Sequence, residues 1–117
     1  MIVIKGKSEK SIHLENLIRK EFLTNNVLIL DAAEGKRIWS EGDWATVWII
    51  DGCSTYEQVI GQFEDNRDAW KSFDWVAFYV NSGEDSIKQF QELDRKYPQN
   101  FIVTIQSDNG ITGRYFL

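Results

Sequence analysis

The chain has 117 residues, 43% of them hydrophobic and 26% charged, which is typical of a globular domain and excludes a disordered or fibrous sequence. Its net charge of −5, with scattered basic residues, argues against a nucleic acid partner, because such binding depends on clustered cations that neutralise phosphates. Apolar runs such as Trp44–Ile50 are far shorter than the roughly 20 residues that cross a bilayer, so no membrane partner is expected.

The first half of the chain predicts three strands and one helix. Ile2–Ile4 is a short apolar run that predicts a buried strand, and Ser11–Leu23 has apolar residues at helical spacing. Val27–Leu30 and Ala45–Ile50 are continuous apolar runs, which is typical of strands covered on both faces. The intervening segment Ala32–Asp43 contains two glycines and mixed charge and predicts a loop.

Two further helices are predicted in the second half. Ser54 or Thr55 is placed to cap a helix whose apolar face includes Phe63, and a short helical turn follows near Trp70. A later helix has apolar residues at helical spacing and is ended by Pro98.

The remaining strands define the fold class. Trp75–Val80 and Phe101–Ile105 are apolar runs that predict buried strands, and Ile111–Leu117 predicts a short edge strand in a hairpin with the fifth strand. Strands separated by helices favour crossover connections and a parallel sheet. We therefore expect one α/β domain over residues 1–117, a three-layer sandwich with a mostly parallel sheet of about five strands, helices on both faces and a possible antiparallel edge strand.

The segment from Gly6 to Ser11 combines a polar turn with a helix that opens on Lys10-Ser11. It resembles the phosphate-binding loop of the P-loop NTPases, in which a glycine is followed by four residues, a second glycine, a lysine and Ser or Thr. Here only three residues separate Gly6 from Lys10, and Glu9 stands where the second glycine belongs. Because a carboxylate repels phosphate and suits a helix N-terminus, we interpret Glu9 as an internal substitute for the anion.

The resemblance extends over the order of elements along most of the chain. Asp31 or Asp51 ends an apolar strand as a Walker-type magnesium aspartate would, and Thr104–Gln106 resembles the polar sensor of recombinase-like ATPases. If Trp75–Val80 is instead the Walker B strand, its terminal Asn81 lacks the family's anionic charge. The resemblance implies nucleotide-binding residues Gly6, Lys7, Ser8, Lys10, Ser11, Asp31, Asp51 and Gln106.

Other candidate chemistry has little material in this sequence. His13 is the only histidine and Cys53 the only cysteine, so a histidine metal site, a Ser-His-Asp triad and an internal disulfide all lack residues. No catalytic residue and no metal ligand is predicted. The lone cysteine, together with the absence of a signal peptide pattern at the start of this sequence, favours a cytoplasmic location.

Aromatic residues make up 14% of the chain, including five tryptophans. They indicate either an aromatic-rich core or an exposed interface, since exposed aromatic patches often mark interaction sites. The leading hypothesis is a non-catalytic domain that binds a protein partner or forms a homo-oligomer through this surface. The alternative is a nucleotide-binding protein or weak NTPase that uses ATP or GTP with magnesium; an unrelated enzyme with its site at the same sheet edge is a third reading, without named residues.

Overall fold

Six strands and four α-helices are present in the computed structural model, which describes residues 1–22, 26–33, 39–50, 55–108 and 113–116. The strands are β1 (Ile2–Gly6), β2 (Val27–Asp31), β3 (Thr46–Ile49), β4 (Trp75–Tyr79), β5 (Asn100–Gln106) and β6 (Gly113–Phe116). The helices are α1 (Lys10–Glu21), α2 (Tyr56–Asp65), α3 (Arg67–Trp70) and α4 (Ile87–Lys96), and a 3₁₀ turn (Glu84–Ser86) precedes α4.

All six strands belong to one sheet, in the order β3-β2-β4-β5-β1-β6. Every neighbouring pair is parallel except β1 and β6, which are antiparallel with Val3 opposite Tyr115. The predicted α/β class with an antiparallel edge strand is confirmed. The predicted hairpin between β6 and the fifth strand is wrong, because β5 already pairs with β4 and β1 on its two sides.

The helices cover both faces of the sheet and create two hydrophobic clusters. On the α1 face, Leu14 and Ile18 pack over alternate residues of the strands. On the opposite α2–α4 face, Phe63, Trp70 and Phe90 pack over the remaining alternate residues. Because β1, β2, β4 and β5 are mostly buried on both faces, their continuous apolar sequences are explained. The prediction of a strand covered on both faces at Ala45–Ile50 is wrong, because β3 lies at the edge of the sheet and its residues are exposed or half-buried. The fully buried large side chains are Phe63, Phe78, Phe90, Phe101, Ile4, Leu14, Ile18, Leu28, Ile29, Leu30, Ile102 and Ile105.

Local signals determine where the helices begin and end. Thr55 caps α2 in a capping box, with its Oγ1 accepting from Gln58 N at 3.3 Å and its N donating to Gln58 Oε1 at 3.2 Å. The helix α4 ends at Lys96, just before Tyr97-Pro98, as the proline predicts. Within the described ranges, no helix has the length and apolar character needed to span a membrane.

The aromatic residues are divided between the core and the sheet edges. Trp44 and Trp70 are buried, whereas Trp48 on the edge strand β3 is 52% exposed. On the opposite edge strand, β6, Tyr115 is 47% exposed and Phe116 is 72% exposed. Most of the tryptophan content therefore serves the core, while β6 presents two of the exposed aromatic side chains.

Candidate functional site

The carboxyl ends of the parallel strands meet at one edge of the sheet, which we call the carboxyl edge. Gly6 at the end of β1 lies opposite Gln106 at the end of β5, and Asp31 at the end of β2 lies opposite Tyr79 on β4. The first turn of α1 also begins here, at Lys10. The fold thus gathers most of the predicted site residues along this edge, where ligands of α/β sheets usually bind.

A hydrogen-bonded chain connects the loop after β1 to the end of β5. The Lys10 Nζ donates to Gln106 Oε1 at 2.5 Å, and Gln106 Nε2 donates to the carbonyl oxygen of Lys7 at 3.0 Å. Nearby, Ser107 N donates to the carbonyl oxygen of Gly6 at 3.0 Å. The lysine and the predicted sensor glutamine therefore contact each other and hold the loop against β5.

Lys10 is unusual because a buried cation generally requires an opposite charge. Lys10 is only 7% exposed, and burial lowers the pKa of its ammonium group. None of the ion pairs found among the described residues includes Lys10. Its glutamine partner supplies a dipole but no negative charge, so the positive charge at the start of α1 is only partly compensated.

Glu9, immediately before α1, has a left-handed backbone with φ of 63°. Its side chain is exposed and makes no capping hydrogen bond with the helix. The interpretation of Glu9 as an internal substitute for the anion is therefore wrong in its geometry, since an N-cap side chain normally acts from an extended backbone. The left-handed conformation is the one that glycine favours, which is the residue that the phosphate-loop pattern has at this position.

Asp31 is 2% exposed and has both carboxylate oxygens in hydrogen bonds. Its Oδ1 accepts from Ala33 N at 3.0 Å, and its Oδ2 accepts from Trp39 Nε1 at 2.9 Å. Burial raises the pKa of this carboxyl group, while the two hydrogen bonds lower it. The carboxylate thus closes the turn after β2 and orients Trp39, and its oxygens are already engaged within the protein.

Ser11 and Tyr79 form another internal contact at this edge. Burial and the negative charge of Asp31 raise the pKa of the Tyr79 phenol, while the neighbouring Ser11 side chain lowers it. Neither Tyr79 nor Trp39 was a predicted site residue. The alternation of side chains along β4 gives a signal for Tyr79, because it places Tyr79 on the α1 face with Asp31.

Thr104 connects β5 to the end of β4. Its Oγ1 accepts from Val80 N at 3.1 Å and donates to the carbonyl oxygen of Phe78 at 3.2 Å, and it is fully buried. Asn81, the residue that the alternative Walker B assignment places at the strand end, is exposed. Thr104 therefore holds two strands together.

The other predicted residues lie in the loop before α1 or outside the described residues. Lys7 and Ser8 are exposed in that loop, and the carbonyl oxygen of Lys7 accepts from Gln106, while Asp51 and Cys53 lie outside the described residues. His13 is half-buried on α1, away from the carboxyl-edge contacts. In the part of the chain that the structure describes, no group of three or more His, Cys, Asp or Glu residues is arranged to hold a metal ion.

The lateral edge at β6 differs in character from the carboxyl edge. The Lys5 ammonium lies 5.2 Å from the centre of the Tyr115 ring, and the Arg114 guanidinium lies 5.8 Å from that of Phe116. Arg114 also forms an ion pair with Glu21 on α1. Beside them, a groove of about 260 Å³ between α1 and β6 is lined by His13, Asn16, Leu17, Lys20, Glu21 and Arg114. The aromatic side chains of β6 thus remain largely in contact with solvent.

Comparison with known proteins identifies no relative: no family model matches the chain, and no curated protein or solved structure is significantly similar to it.

Proposed function

We propose that this chain is a non-catalytic protein-interaction module with a degenerate NTPase-like fold, which binds a protein partner or a second copy of itself through the edge strand β6. The observation that carries the proposal is the exposure of Tyr115 and Phe116 on adjacent positions of this strand. Exposed aromatic side chains at an unpaired strand edge are typical of surfaces that another protein covers.

The state of the carboxyl edge supports the non-catalytic part of the proposal. Phosphoryl transfer in the P-loop class needs a phosphate cradle, a lysine, magnesium ligands and a group that orients water. Here Lys10 and Asp31 each hydrogen-bond to another residue of the chain. Residues that would act on a nucleotide are therefore used to hold the sheet edge together.

The sheet order supports the NTPase-like part at the level of fold alone. The strand β5, which ends in the sensor-like Thr104–Gln106 segment, lies between β1 and β4. This is the neighbourhood that the resemblance implies for a sensor strand beside a Walker B strand. Because a fold hosts many functions, this arrangement does not by itself favour nucleotide chemistry.

The proposal is tested by measuring the mass of the purified chain in solution and its recovery of proteins from a lysate. The double variant Tyr115→Ser/Phe116→Ser should lose self-association or partner recovery, because it removes both exposed aromatic side chains. The matched control is Ile12→Ser, which removes an exposed apolar side chain from α1. If the double variant and the control behave alike, and the native chain is monomeric up to millimolar concentration, the proposal is wrong.

A second candidate function, nucleotide binding, is favoured by the incompletely compensated charge of Lys10. A phosphate from ATP or GTP with magnesium would supply the missing negative charge beside the first turn of α1. Such a ligand must raise the unfolding temperature if it binds only the folded chain. A rise that disappears in Lys10→Ala but persists in the control Lys20→Ala would establish this function, and no rise with either nucleotide would exclude it.

A further inference from the structure

The geometry points to a second copy of this chain as the occupant of the β6 edge: we propose a two-fold symmetric dimer in which the two β6 strands pair antiparallel with Tyr115 facing Tyr115 of the other copy. This inference rests on the proposed function and specifies its partner. It joins the two sheets into one continuous sheet.

The first step is the state of the strand edge. One side of β6 pairs with β1, and no strand among the described residues pairs with its other side. The outer edge therefore presents main-chain groups that an added strand would satisfy. An antiparallel strand from an identical chain is the addition that a two-fold axis perpendicular to the sheet produces.

Symmetry then restricts the register. A perpendicular two-fold axis keeps the α1 face of both copies on the same side, and directly opposed residues of an antiparallel pair point to the same face. In β6, Arg114 and Phe116 follow the α1 face, whereas Tyr115 follows the α2–α4 face. A residue can therefore oppose only itself or a residue two positions away.

Among the allowed registers, one gives Arg114, Tyr115 and Phe116 each a partner in β6 of the other copy. A register centred on Arg114 leaves Phe116 without a partner in β6 of the other copy. A register centred on Gly113 leaves Tyr115 without a partner in β6. A register centred on Phe116 does the same to Arg114. Centring on Tyr115 pairs the two tyrosines and places each Arg114 opposite Phe116 of the other copy, an arrangement suited to cation–π contact.

The surroundings of β6 are compatible with this dimer. The charge of Arg114 is balanced by Glu21, and that of Lys5 by Glu84 at 3.2 Å. No unbalanced like charges therefore meet across the axis at these positions. The groove beside Arg114, which Leu17 helps to line, lies on the same side of the sheet as Phe116 of the other copy.

The opposite sheet edge, β3, is less suited to the same arrangement. Its exposed aromatic side chain, Trp48, already packs edge-on against Trp70 of the same chain, with ring centres 5.7 Å apart.

The register is tested by cysteine cross-linking in a Cys53→Ser background, where the introduced cysteine is the only one. Tyr115→Cys should form a covalent dimer rapidly on mild oxidation, because the two positions face each other at disulfide distance. Arg114→Cys and Phe116→Cys should each cross-link poorly alone and well when the two variants are mixed. Circular dichroism verifies folding of each variant.

A second measurement does not depend on cysteines. Tyr115→Lys places two like charges on the axis and should weaken dimerisation, followed by sedimentation equilibrium, by about 100-fold or more. The matched variant Lys71→Glu changes an exposed charge next to Trp70, which packs against the opposite edge strand β3, and should leave most of the affinity intact.

The outcomes separate this inference from the proposed function. Cross-linking at position 115 with a dimeric mass supports both. A dimer that does not cross-link at 115 overturns the register while the proposed function stands, and a ladder of larger species overturns it in favour of head-to-tail pairing of β6 with β3. A monomeric chain that loses a lysate partner in Tyr115→Ser/Phe116→Ser overturns the second copy as occupant but not protein binding.

Discussion

The candidate functional side chains are buried at the carboxyl edge but exposed at the β6 edge. At the carboxyl edge, Lys10 and Asp31 are buried and bonded to other residues of the chain. At β6, Tyr115 and Phe116 are largely exposed. Residue type alone therefore does not define a site, because a side chain that already has hydrogen-bond partners within the folded chain is less available to a ligand.

The largest expected effect comes from breaking the carboxyl edge at Asp31. Asp31→Ala leaves the amide of Ala33 and the indole of Trp39 without their acceptor, so we expect the free energy of unfolding to fall by about 3 kcal/mol. Urea denaturation measures this change. The exposed Asp43→Ala should change the same quantity by less than about 0.5 kcal/mol, and equal effects of the two substitutions would contradict the structural role of Asp31.

A smaller change in the free energy of unfolding is expected at Lys10. The pH dependence of this change is more informative than its size. Burial lowers the pKa of Lys10 in the folded chain, so the unfolded chain binds more protons between that lowered pKa and the ordinary lysine value of 10.5. Stability due to this group therefore rises with pH across that window. Lys10→Met abolishes the titration and loses one hydrogen bond, so its stability should lie within about 1 kcal/mol of the native value at neutral pH.

Urea denaturation of both proteins from neutral pH towards pH 10.5 tests this sign. The native chain should gain stability relative to Lys10→Met as the pH rises. A difference that is constant over the range, or that changes in the other direction, would show that burial does not disfavour the charged lysine.

The smallest effect on folding is expected at the β6 edge. Phe116→Ser should change the free energy of unfolding of the monomer by less than about 0.5 kcal/mol, because its ring is already mostly in water. Phe63→Ala, at a fully buried ring, should cost about 4 kcal/mol by comparison. Urea denaturation at a low protein concentration, where the chain is monomeric, measures both changes. A large loss of unfolding free energy in Phe116→Ser would mean that β6 serves the stability of the fold more than an interface.

Much of the candidate site depends on contacts that no local pattern contains. The alternation and strand ends in the sequence predict that Gly6, Asp31 and Gln106 reach one edge, because parallel strands share a direction. The contact between Lys10 and Gln106 joins residues 96 positions apart, and the left-handed backbone of Glu9 breaks the usual rule for a helix cap. Both depend on how the loop after β1 meets the end of β5.

Local sequence patterns suffice for the α/β class, for the buried strands β1, β2, β4 and β5, and for the start of α2 and the end of α4, because hydrophobic periodicity, a capping residue and a proline act over a few neighbouring residues. The strand order, the pairing of β6 with β1 and not β5, the edge position of β3 and the exposure of particular aromatic side chains depend on the whole fold. Strand pairing joins residues that are distant in sequence, and each strand has only two edges at which it can pair. Once β4 and β1 occupy those of β5, the last strand extends the sheet at β1 and exposes Tyr115 and Phe116.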